Sequence, residues 1–381
     1  MSTRLSTLAS RWDTGVVVRA SNTWSRTSGR GRAIVYTLAL LFFLLVVPSG
    51  PIATFMAPGS DWRTILFFPI GMFVLLALGL NVVVGYAGLL DLGFVAFFAI
   101  GAYTMGILGH DHHWNFWQVL PVGVALAMGA GVLLGSPTLR LRGDYLAIVT
   151  LGFGEIVRVT ANNLDDFTGG PRGVSSIPHP PSIDSVKIGD SRPFHYGVLD
   201  ARPYYYLIVI VIVIVIVAAK RLERSRVGRS WAAIREDEDA AELMGVPTLK
   251  FKLWAFAIGA AIAGAGGVFY AGQASAISPP NFSFEVSVMI LAAVVLGGSG
   301  NIPGVILGAF LVAWLPERFR GFTQYRFLIF GALLVVLMIY RPQGLLPSRR
   351  RRAELVEGGG GGMGRMGGDV GSAEQRREVD E

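Results

Sequence analysis

YYYLIVIVIVIVIVAA, residues 204–219, carries β-branched side chains along most of its length. In water such a run reads as an aggregation-prone strand. In lipid the reading reverses. A lone strand in hydrocarbon leaves its backbone N–H and C=O groups unpaired, whereas a helix satisfies them within itself. The flanks identify the solvent: Lys220, Arg221 and Arg224 follow at once, as basic residues do on the cytoplasmic side of a membrane span. The segment is expected to be a transmembrane helix.

The rest of the chain agrees. Of its 381 residues 52% are hydrophobic and only 15% charged, against about 25% charged in a soluble domain. The apolar residues lie in runs approaching the roughly 20 needed to cross a bilayer. The chain is expected to be an all-α, polytopic membrane protein with about ten spans, near 33–48, 65–85, 88–108, 117–136, 144–160, 204–219, 253–272, 285–297, 303–316 and 326–340. Residues 1–32 read as a basic, disordered cytoplasmic tail ahead of an uncleaved first span. Residues 33–346 form the transmembrane domain, and the Gly/Arg-rich 347–381 a second disordered tail.

Ten spans place both termini on one side. With the N-terminus inside, 24 of the 33 Lys and Arg residues fall in inside loops. The clusters Arg30/Arg32, Lys220/Arg221/Arg224 and Arg349 to Arg352 lie close to spans, where the positive-inside rule weighs them most. An N-in, C-in topology follows, with 220–252 a cytoplasmic loop and 161–203 an external one. Orientation accounts for the net charge of +7, so a nucleic-acid partner is not needed.

Two segments are interrupted by glycine. NVVVGYAGLLDLG (81–93) holds Asn81, Gly85, Tyr86, Gly88, Asp91 and Gly93; VVLGGSGNIPG (294–304) holds Gly297, Gly298 and Gly300. Irregular backbone at membrane depth must line a cavity or be buried in protein, so these residues are candidates for a translocation path. The alternative is that the glycines only permit close helix packing. IGAY (100–103) and LGAF (307–310) follow the two segments and hint at an internal repeat.

Little soluble-enzyme chemistry is present. There is no cysteine, hence neither disulfide nor thiolate metal site. The four lysines, Lys187, Lys220, Lys250 and Lys252, follow Val, Ala, Leu and Phe, so the Gly-Lys step of a phosphate-binding loop is missing. HDHHW (110–114) groups histidines near an acid but reads as a short solvated external loop, not a metal site. Ionisable residues within spans are costly and often functional. Glu155 and Arg158 are three residues apart, can share a helical face and are expected to form an intramembrane ion pair.

GRSWAAIREDEDAAELMG (228–245) is a charged island inside the 220–252 loop. Trp231, Ile234, Ala241 and Met244 suggest one amphipathic helix over 231–245, stopped by Gly245-Val246-Pro247. Its acids would be repelled by anionic headgroups, so a protein partner fits better than lipid.

DAAELMG (239–245) resembles the EAA-type loop of ATP-binding-cassette importer permeases, with Asp239 where that motif often has Glu. GYAGLLDLGFVAFFAIGAY (85–103), LRLRGDYLAIVTLGFGEIVR (139–158), TGGPRG (168–173), SPPNFSF (278–284), VVLGGSGNIPGVILGA (294–309) and RPQGL (341–345) are similar, in order and spacing, to the high-affinity branched-chain amino acid permeases of the LivM type. The resemblance covers roughly residues 64 to 346. Phe94 departs from it where many relatives have His, and Arg172 where many have Asn; both put the cargo in doubt more than the architecture.

The resemblance implies a multi-pass permease in the plasma (inner) membrane of a prokaryote. Its partners would be a LivH-type permease, two ATPase subunits and an external binding protein. The cargo would be leucine, isoleucine or valine, moved by alternating access, and the chain would be no enzyme. ATP and Mg would be bound by the partner ATPases and no cofactor by this chain. Arg235, Glu236, Asp239, Ala240, Ala241, Met244 and Gly245 would form the ATPase contact. Urea or another amide is the alternative cargo of the same superfamily. An ion-coupled carrier with Asp91 or Glu155 as proton site and a membrane scaffold are the other readings; the carrier has no need of the charged helix, and the broken helices argue against the scaffold.

Overall fold

The computed structural model describes residues 66–141, 143–181, 196 and 202–318, with 328, 331, 332, 335 and 344–346. All belong to one compact unit, Arg63–Glu381. The expected spans 33–48 and 326–340 and both tails lie outside these residues, apart from isolated positions. Five helices among the described residues are long and apolar enough to cross a membrane.

Helix α1, Leu66–Tyr86, is the innermost. Every residue from Met72 to Leu80 is buried, as expected of a helix apolar on all sides. Its last turn, Asn81–Tyr86, widens to π geometry. Helices α2 (Val95–His110), α3 (Phe116–Thr138) and α4 (Asp144–Asn163) follow. Then come α5 (Arg202–Arg224), the short α6 (Arg226–Glu236) and α7 (Glu238–Leu243), and α8 (Thr248–Ala274). Helices α9 (Phe284–Gly297) and α10 (Ile302–Arg318) follow. The only sheet among the described residues is the two-residue pair β1 (Val174–Ser175) with β2 (Ala276–Ile277).

The core is α2, α3 and α8 packed together beside α1. Small residues set the approach: a Cβ on Gly101 would fall 2.7 Å from the Cα of Gly264. Membrane helices lack a hydrophobic drive to associate, so such contacts supply the cohesion. The β-branched run of 204–219 is helical, as expected, within α5. It turns Ile208 onto α1 at Gly71 and leaves Ile210, Ile214 and Val217 exposed along one stripe.

Each expected segment from 65–85 to 303–316 coincides with a helix, but the second is shorter than expected. The 88–108 segment begins as a helix only at Val95. Ala87 to Phe94 is irregular, with Gly88 in the left-handed region at φ +74°. Side chains satisfy this stretch: Thr150 Oγ1 accepts from Leu92 N at 3.0 Å, Asp91 Oδ1 from Gly93 N at 2.9 Å, and Ser287 Oγ from Val95 N at 3.1 Å. Buried non-helical backbone is thereby tolerated.

Loops sort onto two ends of the bundle. At one end meet Gly85, Gly88, Arg235 and Gly300, with Gly344 packed on Gly298. At the other, β1 pairs with β2, and His179 Nδ1 lies 2.8 Å from Gly272 O and 2.7 Å from the Tyr204 hydroxyl. This is the alternation that successive crossings produce.

Candidate functional site

The charged island is two helices, not the one expected over 231–245. Helix α6 starts at an N-cap, Ser225, whose hydroxyl accepts from Gly228 N at 3.3 Å. The break falls at Asp237, which is extended at φ −155° and ψ 111°. Its carboxylate accepts from Ala240 N at 3.0 Å and caps α7. A short acid satisfies an orphan N–H at a helix start better than it serves a helix interior.

The pair is tied down from beneath. Trp231 is fully buried, stacks on Tyr86 with centroids 6.4 Å apart, and donates from Nε1 to Phe251 O at 2.7 Å. Lys252, 2% exposed, meets Glu238 at 2.5 Å. Ala241, expected at the partner surface, is 5% exposed and packs inward instead, because the break at Asp237 rotates α7. Arg235, also expected to face the ATPase, turns inward and donates from Nη1 to the carbonyl of Gly85.

What remains outward is concentrated. Leu243 is 89% and Met244 85% exposed. Glu236, Asp239, Ala240, Glu242 and Gly245, their neighbours in sequence, are exposed as well. Gly245 sits at φ +84°, and a Cβ there would meet nothing within 4 Å. It ends α7 because that dihedral suits glycine. Two bare apolar side chains, close in sequence to exposed acids, form a knob.

The two glycine-broken segments, far apart in sequence, meet beneath α6. Asn81 Oδ1 accepts from Gly300 N at 2.8 Å. Gly85 has to be glycine here, since a Cβ would sit 2.7 Å from Gly300 N. Gly93 and Gly297 are used for close backbone approach, Gly93 onto Thr150 and Gly297 onto Gly304. Asp91 is fully buried, with Oδ2 lacking a hydrogen-bond partner among the described residues. Phe94 packs edge-on against Phe97 in the core, and Arg172 lies exposed in a turn.

Glu155 and Arg158 do pair, Oε2 to Nη2 at 2.8 Å, with both side chains about one-third exposed. With this pair, the 20-residue α4 is not among the five helices apolar enough to cross unaided. His110 pairs with Asp111 at 2.7 Å, and no group of three or more potential metal ligands occurs among the described residues.

Residues 64–340 match the family described as branched-chain amino acid transport system / permease component. The chain belongs to this family. The LivM high-affinity branched-chain amino acid permease of Escherichia coli is 44% identical over 299 residues, 75% of this chain and 70% of the relative. The probable LivM of Methanocaldococcus jannaschii is 24% identical over 341 residues, covering 76% and 94%. The LivH permease of Escherichia coli is 24% identical over 286 residues, covering 72% and 91%. No solved structure matches.

The permease thus shows contacts that its sequence did not reveal: the Trp231 bond to Phe251, the Glu238–Lys252 pair and the Asn81–Gly300 bond. A lysine near the start of an apolar helix was the one available signal, and its partner lay across a helix break. Glu238→Ala is expected to destabilise the permease by about 3–5 kcal/mol, because it strands a buried ammonium. Lys252→Met should cost less, since a flexible apolar chain replaces the charge. Thermal unfolding of the purified variants in detergent checks the order; equal losses would disprove it.

Proposed function

We propose that this permease is one of two transmembrane subunits of an ATP-driven importer for leucine, isoleucine and valine. Its partners are a LivH-type permease, two ATPases that bind ATP and Mg, and an external binding protein that selects the cargo. The observation that carries the reading is the Leu243/Met244 knob of α7. It is bare in the isolated chain, yet built on the helix pair that touches both broken segments. Asn81, Gly85, Tyr86, Gly88, Asp91, Gly93, Gly297, Gly298 and Gly300 then border the moving part of the path, and access alternates as the ATPases close and open.

The decisive experiment is reconstitution of the complex in proteoliposomes. ATP-dependent uptake of labelled leucine, isoleucine or valine supports the reading. Uptake of urea alone would replace the cargo, and uptake by this chain without ATPases would replace the class.

The topology within this proposal is about ten spans, N-in and C-in, in the inner membrane of a prokaryote. The end holding Arg235 is cytoplasmic. In this cysteine-free chain, His112→Cys is expected to react with an impermeant thiol reagent in intact cells, and Arg229→Cys only after lysis. Both positions are exposed, so access is set by the side of the membrane. The reverse labelling would invert the orientation.

A further inference from the structure

Arg235 belongs by sequence to the cytoplasmic helix pair, yet its guanidinium reaches a carbonyl 150 residues away, that of Gly85. Gly85 lies in the last turn of α1. Carbonyls there lack intrahelical partners and carry the negative end of the helix dipole, so a guanidinium makes a charge-assisted bond. The stem of the same side chain lies over the left-handed turn. A Cβ on Gly88 would be 2.7 Å from Arg235 Cγ. The turn between α9 and α10 closes the third side, because a Cβ on Gly300 would be 3.2 Å from both Arg235 Nη1 and Gly85 O. Gly300 N is itself bonded to Asn81 of α1.

We propose that Arg235 is a strut: a positioning residue that transmits displacement of α6 and α7 to the ends of both broken segments at once. The inference rests on the importer reading and adds the route by which the cytoplasmic helices act on the membrane path. The planar guanidinium is always charged and presents its donors in a fixed fork, so it resists the sliding that a lysine allows. Trp231, by contrast, anchors the helix pair to α8 through Phe251 O. The pair therefore stays attached when Arg235 is removed, and what is lost is the connection to Gly85, Gly88 and Gly300.

The test uses the full complex in proteoliposomes, with Arg235→Met and Arg235→Lys. Uptake per ATP hydrolysed is measured, along with the amount of ATPase copurified. Spin labels at Glu242→Cys and Pro303→Cys, in otherwise cysteine-free complexes, report the distance between α7 and α10 with and without trapped nucleotide. Arg235→Met is expected to assemble normally, to lower uptake per ATP at least tenfold, and to broaden the 242–303 distance distribution. Arg235→Lys should recover part of both. Unchanged uptake per ATP with an unchanged distance distribution would overturn the strut. So would parallel loss of uptake and hydrolysis through ATPase dissociation, which would make Arg235 a docking residue. If Arg235→Met fails to accumulate in the membrane, Arg235→Lys decides: a three- to tenfold loss in uptake per ATP supports the strut, and an unaltered ratio overturns it. A wild-type complex that carries none of the three amino acids refutes the cargo reading, while the distance measurement still tests Arg235.

Discussion

Gly88→Val is expected to reduce uptake per assembled complex below a tenth of wild type, while the amount of protein in the membrane falls far less. Gly88 sits at φ +74°, where an ordinary L-residue pays roughly 1–2 kcal/mol and a β-branched one more. The new Cβ would also lie 2.7 Å from Arg235 Cγ and 3.2 Å from its Cβ, so the arginine stem must move. The strain is local to the meeting of α1, α6 and the α9–α10 turn. The close contact of α2 with α8 at Gly101 and Gly264 involves neither Gly88 nor Arg235, and α6 keeps its bond to α8 through Trp231 and Phe251, which is why assembly should survive. Immunoblotting of membranes, copurification of the partners and uptake in proteoliposomes separate the two effects. Wild-type uptake per complex would show that this turn carries no functional constraint.

The joint change Leu243→Ser, Met244→Ser should leave the permease as stable as wild type, within about 0.5 kcal/mol, because both side chains stand in the open in the isolated chain. Its effect should fall on association. Burying such a side chain at a partner contributes about 1.5–3 kcal/mol, so losing two weakens ATPase binding by roughly a hundredfold or more. Glu236→Gln, on the exposed rim, should change it by less than ~1 kcal/mol and mainly slow the encounter. Titration of the purified permease complex with its ATPases measures all three. If the double variant binds as tightly as wild type, α7 is not the ATPase contact. Any loss of thermal stability would instead assign these residues to the fold.

The class of the fold was legible because lipid removes alternatives. A backbone that cannot bond to water must be helical or closed into a barrel, long apolar runs match the thickness of the hydrocarbon, and flanking basic clusters mark the inner side. Helix placement from 65–85 to 303–316 was readable for the same reason. So was the ion pair of Glu155 and Arg158, a local spacing on one helix. The site was less legible. The sequence marked 81–93, 294–304 and 228–245 as unusual, each by its own composition, but composition holds no information about which unusual stretch meets which.

Contact across the fold settled that, and it redirected several residues. Ala241 and Arg235 belong to the charged island by position, yet both turn inward. The cause is Asp237, which ends one helix and caps the next, so that the face expected of one continuous helix divides into two. Asn81 and Gly300 are separated by 219 residues but share a hydrogen bond, an outcome decided by how α1, α9 and α10 pack. By itself the sequence determined, for the described residues, that the chain is helical, roughly where its long helices run and which segments are irregular. The tertiary structure decided that the two breaks close on one another and on Arg235. Periodicity and capping act over a few residues, whereas close approach of distant backbones depends on the packing of the whole bundle.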